Sequence, residues 1–234
     1  MEAVMSKNFL RMTIFFFTIL FLQQLTFGQF QNLNFGIKGG LNLADTDQDV
    51  AGFEEMIGGT DFERNFYSTF HVGVVVEYTL SQKFSVVLNA LYNNKGTEFQ
   101  GVQVEDYIGL IDYNFSEKFE YLSFPLLAKY RFGSAQARPY LFLGPEISYL
   151  LSAENVVKAD AMVGVEFDTT MTITDELESL EVGINAGLGV EFPVSSFKAF
   201  LEASYGLGLT NVNNLEGAQD FKNRMIYLSA GILF

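Results

Sequence analysis

His71 is the single histidine among 234 residues. An imidazole within reach of a serine hydroxyl and a carboxylate can run nucleophilic hydrolysis, and His71 with Ser148 or Ser204 and Glu77 supplies the residue types for such a triad. Their spacing does not support one, and a lone inward-facing histidine more often hydrogen-bonds a neighbour. Asp45, Asp47 and Asp49 place carboxylates at every second position, as at the opening of a calcium loop. The rest of that loop is missing, with Val50 where the turn needs glycine and Met56 where a bidentate glutamate belongs. A solvated acidic loop accounts for the three aspartates better. A third set, Lys38, Glu77, Lys129, Arg131, Glu146, Glu191 and Glu202, has three bases against four acids, all in segments whose alternate residues are apolar. Charges in a narrow, partly dry interior are costly unless paired. They are expected to form an ion-paired plug centred on Arg131, whose planar fork can serve two carboxylates at once.

These side chains must be positioned by strands, because the pattern that carries them has a period of two. Residues 70–80, FHVGVVVEYTL, turn Phe70, Val72, Val74, Val76, Tyr78 and Leu80 one way and His71, Gly73, Val75, Glu77 and Thr79 the other. Seven further runs behave likewise: 33–43, 84–97, 119–132, 140–151, 180–192, 197–210 and 223–234. Short connections at 81–83, 133–139 and 193–196 alternate with long ones, as when hairpin turns lie on one side of a membrane and loops on the other. A soluble sandwich would put charges on its second face. Here that face is rich in glycine, at positions 73, 144, 183, 187, 189, 206, 208 and 231, which suits the cramped lumen of an eight-stranded barrel. Phe70, Tyr78, Phe84, Tyr92, Tyr130, Phe132, Tyr149, Phe192 and Phe234 lie near the ends of the outward rows, as interfacial girdles do. The expected fold is all-β: an eight-stranded, antiparallel, up-and-down transmembrane β-barrel.

Residues 1–28 read as a secretory signal, with Lys7 and Arg11 before an apolar core from Met12 to Leu22 and small residues Thr26 and Gly28 before a cut. Eleven apolar residues are too few for a membrane-spanning helix, which takes about 20. The barrel domain would then occupy 29–234. There is no cysteine, so neither lipid attachment at a cysteine nor a disulfide is available. Formal net charge is −14 for the chain, which disfavours nucleic acid as a partner. The charge is concentrated: segments 44–67, 98–117, 152–176 and 211–222 together carry −17, leaving the rest slightly positive. Four acidic, water-facing loops are therefore expected on a near-neutral body.

The segments FGIKGGLNLA (35–44), YLSFPLLAKYRFG (121–133), RPYLFLGPEISYLL (138–151) and YLSAGILF (227–234) resemble the porin-like, eight-stranded outer membrane protein β-barrel family of Gram-negative envelopes. The resemblance covers nearly all of the chain after the signal. It implies an outer-membrane location and outer-membrane lipid as surroundings. It also implies that the barrel-assembly machinery reads the last strand, which marks Tyr227, Ile232 and Phe234 as an assembly signal.

The reading that follows is a barrel with a filled lumen and no cofactor, whose loops meet divalent cations, surface polysaccharide or a protein partner. Eight strands leave an interior that side chains fill, which weighs against a selectivity ring in an open pore. A narrow diffusion channel, a lipid-modifying enzyme using His71 and a soluble ligand-binding barrel of the lipocalin type are the alternatives.

Overall fold

The structure is a computed structural model that describes residues 32–47, 63–106, 109–133, 136–161, 165–214 and 221–234. The segment expected as a signal, and Asp49 of the aspartate run, lie outside these. Among the described residues there are ten strands: β1 Leu33–Thr46, β2 Glu63–Asn65, β3 Tyr67–Thr79, β4 Phe84–Asp106, β5 Gly109–Arg131, β6 Arg138–Ala161, β7 Val165–Thr172, β8 Leu180–Val194, β9 Phe197–Gly208 and β10 Asn223–Leu233. Eight of them close into an antiparallel barrel in the order β1, β3, β4, β5, β6, β8, β9, β10 and back to β1. The closing seam runs from Gly36 opposite Leu233 to Thr46 opposite Asn223. Closure leaves no free edge at membrane depth, where an unpaired backbone group would have no water to satisfy it.

The turns at the hairpin end are short for local reasons. Ser81 Oγ accepts the backbone N–H groups of Lys83 and Phe84, at 3.3 and 3.1 Å, and so holds the β3–β4 turn. Gly133 takes a left-handed φ of 71° as the chain leaves β5, a conformation that costs glycine nothing.

The two faces of each strand fall as the period of two requires. Leu41, Val72, Val74, Leu88, Leu143, Leu188 and Leu228 point out and are exposed, a continuous apolar band fitted to lipid. Phe84 and Tyr130 meet at a tilt, 4.8 Å between ring centres, and Tyr130 meets Phe132 edge-on at 4.9 Å, so the hairpin end of the band closes in aromatics. Inward glycines make room for rings on the neighbouring strand. A Cβ on Gly187 would lie 2.5 Å from Phe142 Cζ, and one on Gly231 would lie 2.2 Å from Phe200 Cζ.

The structure departs from the sequence reading above the membrane. Segments 98–117 and 152–176 are not simple loops. The β4–β5 ladder continues to Asp106 opposite Gly109, and β6 pairs β5 as far as Ala161 opposite Ile111. β7 lies along the same upper stretch of β6, from Thr172 opposite Glu154 to Val165 opposite Ala161, and β2 pairs with the upper part of β4. On the other side the ladders stop lower, at Gly183 opposite Gly208 and Arg224 opposite Leu207. The wall is therefore taller over β4, β5 and β6, and much of the acidic sequence sits on a sheet.

Candidate functional site

The inward residues of β5 lead from the hairpin end toward the acidic end and order the lumen. Arg131 and Lys129 come first, then Leu127, Pro125 and Ser123, then Tyr121 and Phe119. Each step meets a different layer of side chains.

The lowest layer is an ion-paired network. Lys129 Nζ donates to Glu77 Oε2 at 3.0 Å and to Glu191 Oε2 at 2.9 Å. Arg131 Nε donates to Glu191 Oε1 at 2.8 Å and Nη1 to Ser85 Oγ at 2.7 Å, while Nη2 donates to Glu77 Oε1. Glu77 and Glu191 have no exposed surface. Lys129 also stands 3.9 Å over the Tyr140 ring, a placement that favours a cation further. A second pair, Lys38 with Glu202 at 2.5 Å, adjoins it, and Tyr140 OH donates to Glu202 Oε1 at 2.8 Å. Val75, Val87, Leu127, Phe142, Phe200 and Leu233 pack around these charges and exclude water.

The middle layer is neutral and polar. His71 Nδ1 lies 2.6 Å from Asn42 Oδ1 and Nε2 lies 3.0 Å from Ser229 Oγ, with the imidazole edge-on to Tyr227. Asn42 Nδ2 donates to Asn93 Oδ1 at 2.9 Å, and Asn93 Nδ2 donates to Tyr227 OH at 3.0 Å. The triad drafted from sequence is not assembled, since the serine beside His71 is Ser229, whereas Ser148 and Glu77 are bound into other layers. Ser229, His71 and Asn42 do stand in relay order, but they are 6, 1 and 0% exposed, which leaves a substrate no approach.

The upper layer is a second ionic cluster. Lys95 Nζ lies 3.1 Å from Glu181 Oε2, 3.4 Å from Glu146 Oε1 and 3.2 Å from Ser148 Oγ, and 4.8 Å from the centre of the Tyr121 ring. Asn223 Nδ2 donates to Glu181 at 2.9 Å and Asn185 Nδ2 to Glu146 at 3.2 Å. A cavity of about 10 Å³ adjoins Lys95, Glu146 and Asn223, room for about one water. Above it lies an apolar cap: Phe119, Tyr121, Leu150, Ala153, Leu177, Val212 and Phe221, with Phe119 and Phe221 stacked at 6.2 Å.

All seven charges expected to face inward lie in the lumen, but they do not form one network. Glu146 belongs to Lys95 and Glu202 to Lys38, so Arg131 serves only Glu77 and Glu191. Lys95 and Glu181 were not among the expected set. Continuing the period of two from Asn89 through Leu91 and Asn93 reaches Lys95, and the alternation in β8 reaches Glu181. Tyr227, placed in the assembly signal, is a lumen residue. Ile232 sits opposite Ile37 in the seam, and Phe234 exchanges backbone hydrogen bonds with Phe35, at 2.7 and 3.3 Å. Asp45 is in β1 opposite Arg224, and Asp47 accepts the Lys222 N–H at 2.5 Å and lies 3.5 Å from Arg224. Among the described residues no group of three acids or histidines is gathered for a metal ion.

This arrangement can be set beside known proteins. Residues 23–214 match the family model described as outer membrane protein beta-barrel domain. No curated protein matches the sequence. Similar solved structures include Neisserial surface protein A, with 14% identity and a TM-score of 0.46, over 87% of this chain and 96% of that one. OprG from Pseudomonas aeruginosa has 15% identity and a TM-score of 0.40, over 86% and 95%. Outer Membrane Protein W from E. coli has 16% identity and a TM-score of 0.40, over 86% and 97%. With a family model matched across most of its length and a closed eight-stranded antiparallel barrel, the chain belongs to the outer membrane protein β-barrel domain family, and its location is the outer membrane.

Proposed function

We propose that this protein is a closed, non-enzymatic barrel that holds an acidic surface outside the cell for ions, surface polysaccharide or a protein partner. The observation that supports this reading is the succession of buried side chains along β5. Two buried ionic clusters, a polar layer between them and an apolar cap follow one another along β5, so an ion in transit would have to break paired charges and then part the cap. Rupturing a buried pair leaves its partner desolvated, a cost of about 3–5 kcal/mol. A rigid frame with its chemistry in the exposed segments suits recognition. The acidic segments, with eighteen acids in 44–67, 98–117 and 152–176, would concentrate divalent cations by charge alone. Delivery to the outer membrane would follow removal of residues 1–28, so that the mature protein begins at Gln29.

Planar-bilayer recording on purified protein tests the closed state. The expected trace is silent at both polarities, and Lys95→Ala combined with Phe221→Ala, which removes the base of the upper cluster and thins the cap, is expected to stay silent because the layer of Lys129, Arg131, Glu77 and Glu191 is left intact below. Steady ion flow through the parent would replace this reading with the narrow channel.

A further inference from the structure

We propose that the hairpin-side mouth of the lumen binds a small oxyanion of the phosphate class, anchored by Arg138 with Lys198 as a second donor. The first observation is a surplus of positive charge. Lys129, Arg131, Arg138 and Lys198 face the lumen at this end, and Lys83 stands on the adjoining turn, against the two carboxylates of Glu77 and Glu191. The three short connections at 80–83, 132–137 and 195–196 contain no acid. Lys38 does not alter the balance, because Glu202 neutralises it at 2.5 Å.

The second observation is a donor without an acceptor. Arg138 sits directly opposite Glu191 in the β6–β8 register, the position in which an arginine would be expected to pair. Both oxygens of Glu191 are already taken, by Lys129 Nζ at 2.9 Å and Arg131 Nε at 2.8 Å. The buried Nε of Arg138 has no hydrogen-bond partner among the described residues. A buried guanidinium N–H left in that state is unfavourable, and the loss is greatest for charged donors. Arg138 opens β6 at this mouth and is only half-buried, so part of its side chain is exposed there.

Lys198 adds a charge that the network leaves partly unspent. Its ammonium donates to Asn34 Oδ1 at 3.4 Å and lies 3.7 Å from Glu77, a carboxylate already shared by Lys129 and Arg131. An ammonium has three donors, so capacity remains. A planar guanidinium matches a tetrahedral oxyanion through two parallel N–H groups, and an ammonium two strands away on the same mouth contributes as a point charge. The site would thus lie beneath the ion-paired layer, outside the closed part of the lumen, and does not depend on whether the barrel conducts.

Isothermal titration of the full barrel in a maltoside detergent, with inorganic phosphate against sodium chloride at matched ionic strength, tests this. The parent is expected to bind phosphate saturably. Arg138→Gln should weaken that binding by about tenfold or more, and Arg138→Lys should recover only part of it, since the charge returns without the fork. Lys222→Gln, at the acidic end, should titrate like the parent. If phosphate and chloride give the same heats with the parent, or if folded Arg138→Gln binds phosphate like the parent, the proposal fails. Should Arg138→Gln not fold, Lys198→Gln carries the same expectation, and parent-like binding by that variant would overturn the site.

Discussion

Arg131 and Lys95 hold similar positions on paper, each a base between two glutamates, yet they belong to separate clusters. Removing the Arg131 guanidinium leaves Glu77 and Glu191 with Lys129 as their closest donor, in a layer packed by Val87, Leu127 and Phe142. The expected loss for Arg131→Ala is about 3–5 kcal/mol, read as a lower urea midpoint in detergent. Lys95→Ala, which strands Glu146 and Glu181, should cost a similar amount. Because the two clusters share no partner, the double variant should equal the sum of the singles to within about 0.5 kcal/mol. Lys129→Ala with Arg131→Ala should depart from additivity by more, since both bases serve the same two carboxylates. Strong coupling between Arg131 and Lys95 would mean that the lumen is one network after all.

At the scale of the strand, the glycine and aromatic pairs set how closely neighbours approach. Gly187 faces Phe142 in register and Gly231 faces Phe200, and in each case the ring and a backbone carbonyl, Ala203 O or Ile37 O at 2.5 Å, occupy the space a Cβ would need. Gly187→Ala should therefore force Phe142 off its rotamer and cost about 1–3 kcal/mol. The combination Gly187→Ala with Phe142→Leu, which shortens the ring's reach, should recover part of that. A Gly187→Ala barrel as stable as the parent would mean that the ring and the facing backbone of β9 both shift without penalty.

Such pairs show what the sequence could and could not reveal. Alternation placed Phe142 and Gly187 on the inward face, because lipid on one side and a lumen on the other impose a period of two. It could not say that they are opposite each other, since the register between β6 and β8 depends on the stagger of the closed sheet. The same gap explains why Glu146 and Glu202 were assigned to Arg131. Their inward direction is local, whereas their partners lie across the barrel, 51 residues away for Lys95 and Glu146 and 164 for Lys38 and Glu202. Toward the acidic end the signal is present but outweighed by charge. Ile111, Tyr113 and Phe115 alternate with Asp112, Asn114 and Ser116, and Val165 and Phe167 with Glu166 and Asp168, but the density of acids makes 98–117 and 152–176 read as loops although the ladder continues through them.

The whole molecule is electrically asymmetric along its axis. Acids crowd the end bearing the tall wall, and bases outnumber them around the short turns. Short turns of membrane barrels face the periplasm and longer segments face outward. That assignment puts the acidic sheet on the cell surface and the Arg138 mouth inside. The absence of cysteine in the sequence makes the orientation open to a clean test, because any introduced thiol is the sole reactive one. Thr170 of β7 and Gln82 of the β3–β4 turn are both exposed and lie at opposite ends. In intact cells, Thr170→Cys should react with a membrane-impermeant maleimide within minutes while Gln82→Cys stays unmodified, and both should react once the envelope is broken. The reverse pattern in intact cells would turn the barrel over, place the acidic sheet in the periplasm and require its partners to be sought there.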